Sequence, residues 1–344
     1  MLCLIMNKKL TIIAEVGVNH NGDLAKALKL IDAAVDSGAD MVKFQTFSAS
    51  DLTTECAPKA DYQNKYDGVG TQQSMLQKLQ LSTQDHIALK NHCLVNNIHF
   101  LSTAFGQEEL DFLIKIGIPA IKVPSGEITH LPLLEMMAAH AITHSLPVYL
   151  STGMSTLGEV EAALNVFLST GLPREQVTLM HCLSAYPAPK SEVNLKAIKT
   201  LSDAFHCPVG YSDHTLGITA AIASVAFGAS VIEKHITLDK TLPGPDHKAS
   251  LEPHEFTEMV RAIRDTELLL GDGIKCMQPT ESNTRSVARR SIRASRPISE
   301  GSIIDFNSIT CQRPADGISP MQLSLLLGTK ATRSYNPGDL IEFN

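Results

Sequence analysis

The chain reads as an α/β protein, a closed (β/α)₈ barrel followed by a small β-rich domain. Three observations predict it. Eight short apolar runs alternate with amphipathic helical stretches over about 260 residues, the count and size of one such barrel. The runs are near-continuously apolar, as strands are when both faces of a parallel sheet are covered. Beyond residue 271 the character changes to a polar stretch and then short strand-like pieces broken by Pro and Gly.

In order, residues 11–17 (TIIAEVG) form the first strand and 24–37 the first helix. The second strand is 41–47. A long connection, 59–80, then precedes the helix at 83–96 and is expected to cover the strand ends. Residues 99–105 and 120–127 are the third and fourth strands, and 131–144 is the helix that follows. The strands at 147–153, 177–184, 208–215 and 231–238 alternate with helices at 156–169, 194–205 and 218–227, and a last helix spans 253–270. A doubly wound open sheet is the alternative, but no Gly-x-Gly-x-x-Gly turn follows the first strand. The domains are therefore a barrel over 1–271, a linker over 272–288 and a β-rich domain over 289–344, the last near the lower size limit for independent folding.

Composition limits the function. With 44% hydrophobic residues, 344 residues bury a large core; a net charge of −7 and no dense basic tract argue against nucleic acid or an anionic membrane as partner. No apolar run reaches membrane-spanning length, and the start (MLCLIMNKKL, with a second Met at position 6) is too short for a signal-peptide core, so a cytoplasmic location is expected. Seven cysteines, odd in number and without a Cys-x-x-Cys pair, read as reduced thiols. Cys182, beside His181, reads as a buried thiol rather than a nucleophile.

The strand ends carry the chemistry. They bear Glu15 with Asn19 and His20, Lys43 with Gln45, Ser102 with Thr103, Lys122 with Ser125 and Glu127, Ser151 with Thr152, Ser184 with Tyr186, Ser212 with His214, and His235. Polar groups at the carboxyl ends of barrel strands point into a loop-built active site. Two lysines among hydroxyls suit an anionic substrate, because ammonium groups neutralise phosphate or carboxylate while Ser and Thr donate directional hydrogen bonds. The plainer alternative pairs Lys43 and Lys122 with Glu15 and Glu127 as structural ion pairs. His214 and His235 close neighbouring strands beside Asp213, Glu233 and Asp246, an arrangement suited to an open divalent-cation site.

These segments together resemble the sialic acid synthase family. The resemblance is carried by AEVGVNHNGD at 14–23, VKFQTF at 42–47, KVPSGE at 122–127, LSTGM at 150–154, GYSDHT at 210–215, EKHITLD at 233–239, GPDHKASLEP at 244–253 and RPADGISP at 313–320. It implies a TIM barrel with a C-terminal antifreeze-like (SAF) domain. It further implies condensation of phosphoenolpyruvate with an open-chain N-acetylated amino sugar, typically N-acetylmannosamine, giving a nine-carbon 2-keto acid and phosphate. By resemblance, His214 and His235 bind Mn²⁺ or Mg²⁺, and Lys43, Thr103, Lys122, Ser125, Ser151 and Ser212 hold phosphoenolpyruvate. Gln45, Tyr186 and Asp246 match sugar-contacting positions, and the chemistry of the condensation calls for a carboxylate, Glu15 or Glu127, to orient and deprotonate a water. The resemblance also implies a domain-swapped homodimer in which Arg313 reaches the N-acetyl group of the sugar. Ser184 departs from the family pattern, where some members carry asparagine. The sugar stays open: GVNHNGDL, SGEIT and GDGIK look like synthases of legionaminic acid, whose precursor is 2,4-diacetamido-2,4,6-trideoxymannose, and a 6-phosphorylated sugar is a third choice. A different metal-dependent barrel enzyme, an aldolase or isomerase, and a carbohydrate- or ice-binding non-enzyme remain as readings of other classes.

Overall fold

A computed structural model describes residues 9–60, 63–64 and 69–343. Cys3, the second Met and part of the 59–80 connection lie outside them. The chain divides into two compact units, one ending at Gly271 and the other beginning at Asp272.

In the first unit, β1 (Thr11–Gly17), β2 (Met41–Thr46), β3 (His99–Ala104), β4 (Ile121–Val123), β5 (Val148–Ser151), β6 (Val177–Cys182), β7 (Val209–Asp213) and β8 (Ala229–His235) form one parallel sheet. Its order is β3-β2-β1-β8-β7-β6-β5-β4. The two end strands, β3 and β4, lie against each other, so the sheet curls into a barrel. Helices lie between successive strands and over the outside. In α1 (Leu24–Asp36), Asp23 caps the first turn by accepting from the amides of Ala25 and Lys26, and Ala27, Leu30, Ile31 and Ala34 form the buried stripe.

Side chains alternate across each strand, and that period of two builds both core and site. Ile12, Ala14 and Val16 of β1 join the cluster between sheet and helices, whereas Ile13 joins Leu101, Ala120, Tyr149, Met180 and Val231 in a separate cluster inside the barrel. Gly210 makes room there: a Cβ on it would lie 2.3 Å from Met180 Sδ. Two residues onward on the same faces come Glu15, Thr103, Lys122, Ser151, Cys182 and Glu233, a polar ring above an apolar floor.

Three details differ from the sequence reading. Strand β4 stops at Val123, since Pro124 has no amide to donate to the ladder, and Ser125–Glu127 form a 3₁₀ turn. Ahead of the long connection lies α2 (Ala49–Leu52), and within it α3 (Gln72–Leu79), capped by Thr71 and Ser74, sinks Met75 and Leu79 against Val18 and Phe47. Gln107–Ile116 forms a helix between β3 and β4.

In the second unit, Ser282–Ala288, in the stretch expected to be a linker, is helical. β9 (Ser291–Ala294) pairs antiparallel with β10 (Ile309–Gln312), and isolated bridges join Ile298 to Tyr335 and Ile303 to Lys330. Ile292, Ile298, Ile304, Leu326, Tyr335 and Ile341 form its own small core.

Candidate active site

At the carboxyl ends of the barrel strands lies a cavity of about 450 Å³. It is lined by Glu15, Lys43, Gln45, Thr103, Lys122, Ser125, Ser151, Ser184, Tyr186, Ser212, His214, Glu233 and His235. Strand register brings them together: Glu15 lies between Lys43 on β2 and His235 on β8, and Ser212 lies beside Glu233. Two glycines permit the close approach. Gly17, at φ +54°, would place a Cβ 3.1 Å from Glu15 Oε1 and 3.3 Å from the His235 ring; a Cβ on Gly153 would meet Ser184 Oγ at 2.4 Å and Ser125 Oγ at 2.7 Å.

Charge alternates around the floor of the cavity. Lys43 Nζ lies 2.7 Å from Glu15 Oε2 and 3.7 Å from Glu233 Oε2, and it donates to Thr103 Oγ1 at 3.2 Å. Lys122 Nζ donates to both Glu233 oxygens at 3.0 and 3.2 Å, and Ser212 Oγ donates to the same carboxylate at 3.0 Å. The environments push the two carboxyls apart. Burial lifts Glu15 to about 7 against the pull of Lys43, with the negative Glu233 adding to the rise. Burial alone would also raise Glu233, but Lys122 and Lys43, with hydrogen bonds from Lys122 and Ser212, hold it well below the usual carboxylate range. A pair separated this way offers one permanent anion and one group able to carry a proton near neutrality.

The two imidazoles share the pocket, with ring centroids 5.5 Å apart and planes at 51°. His214 donates from Nδ1 to the Leu183 carbonyl at 2.7 Å, which leaves its Nε2 lone pair unused. Nδ1 of His235 is buried and has no hydrogen-bond partner; Asp246 Oδ2 stands 4.0 Å away. Burial keeps both rings neutral, lowering His214 to about 4 and His235 well below its ordinary value. Two neutral imidazoles with ring centroids 5.5 Å apart, each keeping a nitrogen without a hydrogen bond, fit a divalent cation. Among the described residues no third His, Cys, Asp or Glu completes a ligand cluster, so a cation here would keep positions open for substrate or water. Tyr186 packs its ring 4.2 Å from His214 and edge-on to His235 at 5.8 Å.

Not every expected residue faces the cavity. Glu127 is directed away by the 3₁₀ turn and pairs with His130 Nδ1 at 2.7 Å, so of the two carboxyls expected to handle a water only Glu15 lines the site. Of the ion pairs in the plainer reading, Lys43–Glu15 is present, but Lys122 takes Glu233 as its partner rather than Glu127. Asp213 faces the outer side of the sheet, bound to Lys234 Nζ at 2.9 Å. Asn19 ties loops together through the Ile236 carbonyl and Ser250, His20 accepts from the Gly22 amide, and Ser102 bonds to Thr46 behind the strands. Asp246 is buried next to His235 rather than on the cavity wall, and burial raises its carboxyl to about 7. Arg313 is exposed in the second unit, just after β10. Glu233, which positions both lysines, is absent from the substrate and catalytic set read from the sequence. Its signal was its place two residues before His235, on the same face of β8.

Relatives carry the same architecture. The chain is 49% identical over 335 residues to the N,N'-diacetyllegionaminic acid synthase of Campylobacter jejuni, covering 97% of this chain and 99% of that protein. It is 45% identical to the N,N'-diacetyllegionaminic acid synthase of Legionella pneumophila, covering 95% and 92%. The crystal structure of the N-acetylneuraminic acid (sialic acid) synthetase of Leptospira borgpetersenii superposes with a TM-score of 0.72 at 34% identity, over 81% of this chain and 90% of that one. The SAF domain model matches residues 289–344, and the model of the NeuB family matches 30–275, the span that supplies all but one of the cavity-lining strands. With that match over most of the barrel and those relatives along nearly the whole chain, this protein belongs to the NeuB family.

Proposed function

We propose that the protein is a nonulosonate synthase that condenses phosphoenolpyruvate with an open-chain acetamido sugar, releasing phosphate and a nine-carbon 2-keto sugar acid. The observation that carries this reading is one cavity at the strand ends holding two lysines among hydroxyls beside two neutral imidazoles. The family resemblance implies N-acetylmannosamine as the typical acceptor and leaves the diacetamido sugar open. The names of the relatives at 45 and 49% identity favour 2,4-diacetamido-2,4,6-trideoxymannose as the acceptor. N-acetylmannosamine is the second reading, supported by similarity to the Leptospira sialic acid synthetase.

Lys43 and Lys122, with Thr103, Ser125, Ser151 and Ser212, hold the carboxylate and phosphate of phosphoenolpyruvate, with Glu233 keeping the ammonium groups aimed between them. His214 and His235 would hold Mn²⁺ or Mg²⁺, which supplies Lewis-acid polarisation of the sugar aldehyde when bound. Carbon C3 of the enol bonds to the aldehyde carbon as the carbonyl π pair moves to the aldehyde oxygen, which takes a proton from solvent to become a hydroxyl, leaving electron deficiency at C2 beside the carboxylates of the cavity. Glu15 takes a proton from the water that adds at C2, and the tetrahedral centre then expels phosphate by cleavage of its C–O bond. Gln45 and Tyr186 on the wall, with Asp246 behind His235, form the sugar side. Arg313 acts from the SAF domain of a second copy in a homodimer; a barrel truncated after Gly271 then folds but does not condense. A cytoplasmic location is supported by the six described cysteines being free thiols, and among the described residues no helix is long and apolar enough to cross a membrane.

The test is phosphate release from phosphoenolpyruvate with N-acetylmannosamine, its 6-phosphate and the diacetamido sugar, after EDTA treatment and with Mn²⁺ restored. The reading expects the highest kcat/KM with the free diacetamido sugar and no turnover before Mn²⁺ is added. Full activity without metal contradicts the cation's role, and phosphate release with none of the sugars contradicts the synthase.

A further inference from the structure

Behind the two imidazoles, on the outer face of the sheet, lies a charged pair that the reaction scheme does not use. Lys234 and Asp213 are fully buried, at 0% side-chain exposure each, and stand opposite one another in the register of β7 and β8. Lys234 Nζ donates to Asp213 Oδ2 at 2.9 Å and also to the Thr215 carbonyl. Asp213 Oδ1 accepts from the Thr215 amide at 2.8 Å and from the Tyr211 hydroxyl at 3.1 Å. These four bonds close a ring around one residue, His214, whose neighbours on both sides are gripped. The same lysine is next in the chain to His235. An apolar pair would fill such a space at less desolvation cost, so a buried pair here calls for another role.

We propose that Lys234 and Asp213 are positioning residues that set the spacing of the His214 and His235 rings, and with it the affinity for a divalent cation. The inference rests on the cation reading of those two histidines. One ammonium binds the strand end before His214 and the carbonyl after it, while its own backbone carries His235, so a single side chain sets both donors relative to each other. Groups that orient metal ligands in this way typically change metal affinity by about 10–100-fold when removed.

The test is Mn²⁺ binding to the full-length chain, read from the electron paramagnetic resonance signal of the free ion, with phosphoenolpyruvate affinity measured by calorimetry in EDTA. Four proteins are compared: wild type, Tyr211→Phe, the double variant Asp213→Asn with Lys234→Met, and His214→Ala. The double variant removes both charges together and so leaves no lone buried ion. The expected result is at least about tenfold weaker Mn²⁺ binding in the double variant and about threefold weaker in Tyr211→Phe, which loses one bond to a charged acceptor. Phosphoenolpyruvate affinity without metal stays at the wild-type value in both. If the double variant does not fold, the near-isosteric Tyr211→Phe decides. Wild-type Mn²⁺ affinity in both variants, with binding abolished in His214→Ala, overturns the inference and leaves the pair a support of the fold. Absence of Mn²⁺ binding to the wild type overturns the cation reading itself, and is recognised because His214→Ala then behaves identically.

Discussion

Replacing Glu233 with Gln removes the anion between the two lysines while keeping the shape of the side chain. Lys43 retains Glu15 at 2.7 Å, but among the described residues Lys122 has no other carboxylate in ion-pair contact. Breaking a buried pair from one side costs about 3–5 kcal/mol, and the lower end applies because the ammonium opens onto a cavity that water can enter. With ~3 kcal/mol lost and an m-value of about 3 kcal/mol/M for a barrel of this size, the urea midpoint falls by roughly 1 M. Phosphoenolpyruvate, bringing carboxylate and phosphate to the same lysines, returns a counter-charge to Lys122. Saturating ligand therefore raises the midpoint of the variant more than that of the wild type. The assay is urea unfolding of the full-length chain followed by circular dichroism, with and without phosphoenolpyruvate. A midpoint within about 0.2 M of wild type, or equal ligand shifts in both proteins, would refute the reasoning that Glu233 holds these lysines in readiness for an anion.

Glu15→Gln should lower kcat by about 10²–10⁴-fold, the usual contribution of a positioned proton acceptor, with little change in phosphoenolpyruvate affinity; steady-state kinetics with an independent binding measurement checks it, and unchanged turnover excludes the role. Gly153→Ala drives a methyl into Ser125 and Ser184, at 2.7 and 2.4 Å from their hydroxyl oxygens, and should raise KM for phosphoenolpyruvate about tenfold through the lost hydrogen bond to an anion while changing KM for the sugar less. Two buried histidines should each contribute less stability in acid. Burial lowers His20 and His247 from 6.5 to about 4, so between these values the unfolded chain binds protons that the folded one refuses, and stability falls as the pH drops through that window. Thermodynamic linkage gives ~2 kcal/mol at pH 5 for His20, and His247, equally buried, acts in the same direction. Because Glu15 and Asp246, raised to about 7, gain stability in the same window, the test is the difference between wild type and His20→Gln in the change of urea midpoint from pH 7 to 5, and His20→Gln should lose less.

The barrel was legible because each strand is a short apolar run ending in polar residues, and eight in a row leave few topologies. The site was legible where strand ends present single unusual residues, as at Lys43, Lys122, His214 and His235. It was less so where alternation decides which face a residue takes. Asp213 and His214 are adjacent, so only one can enter the cavity, and the outward turn of Asp213 follows from the register that sets it opposite Lys234. Glu233 lies inside an apolar run and shows itself only when alternate residues are counted back from His235. Glu127 misled because Pro124 ends the strand and the turn after it breaks the period of two. Helix α3 was hidden by its polarity, since only Met75 and Leu79 are buried.

The most direct measurement follows the bridging oxygen of phosphoenolpyruvate. With that atom labelled as ¹⁸O, the protein, Mn²⁺ and the diacetamido sugar should yield phosphate carrying the label and a 2-keto acid whose new carbonyl oxygen comes from solvent, both read by mass spectrometry. Label retained in the keto acid would mean that the P–O bond breaks instead, and would contradict a water captured at C2 with the help of Glu15.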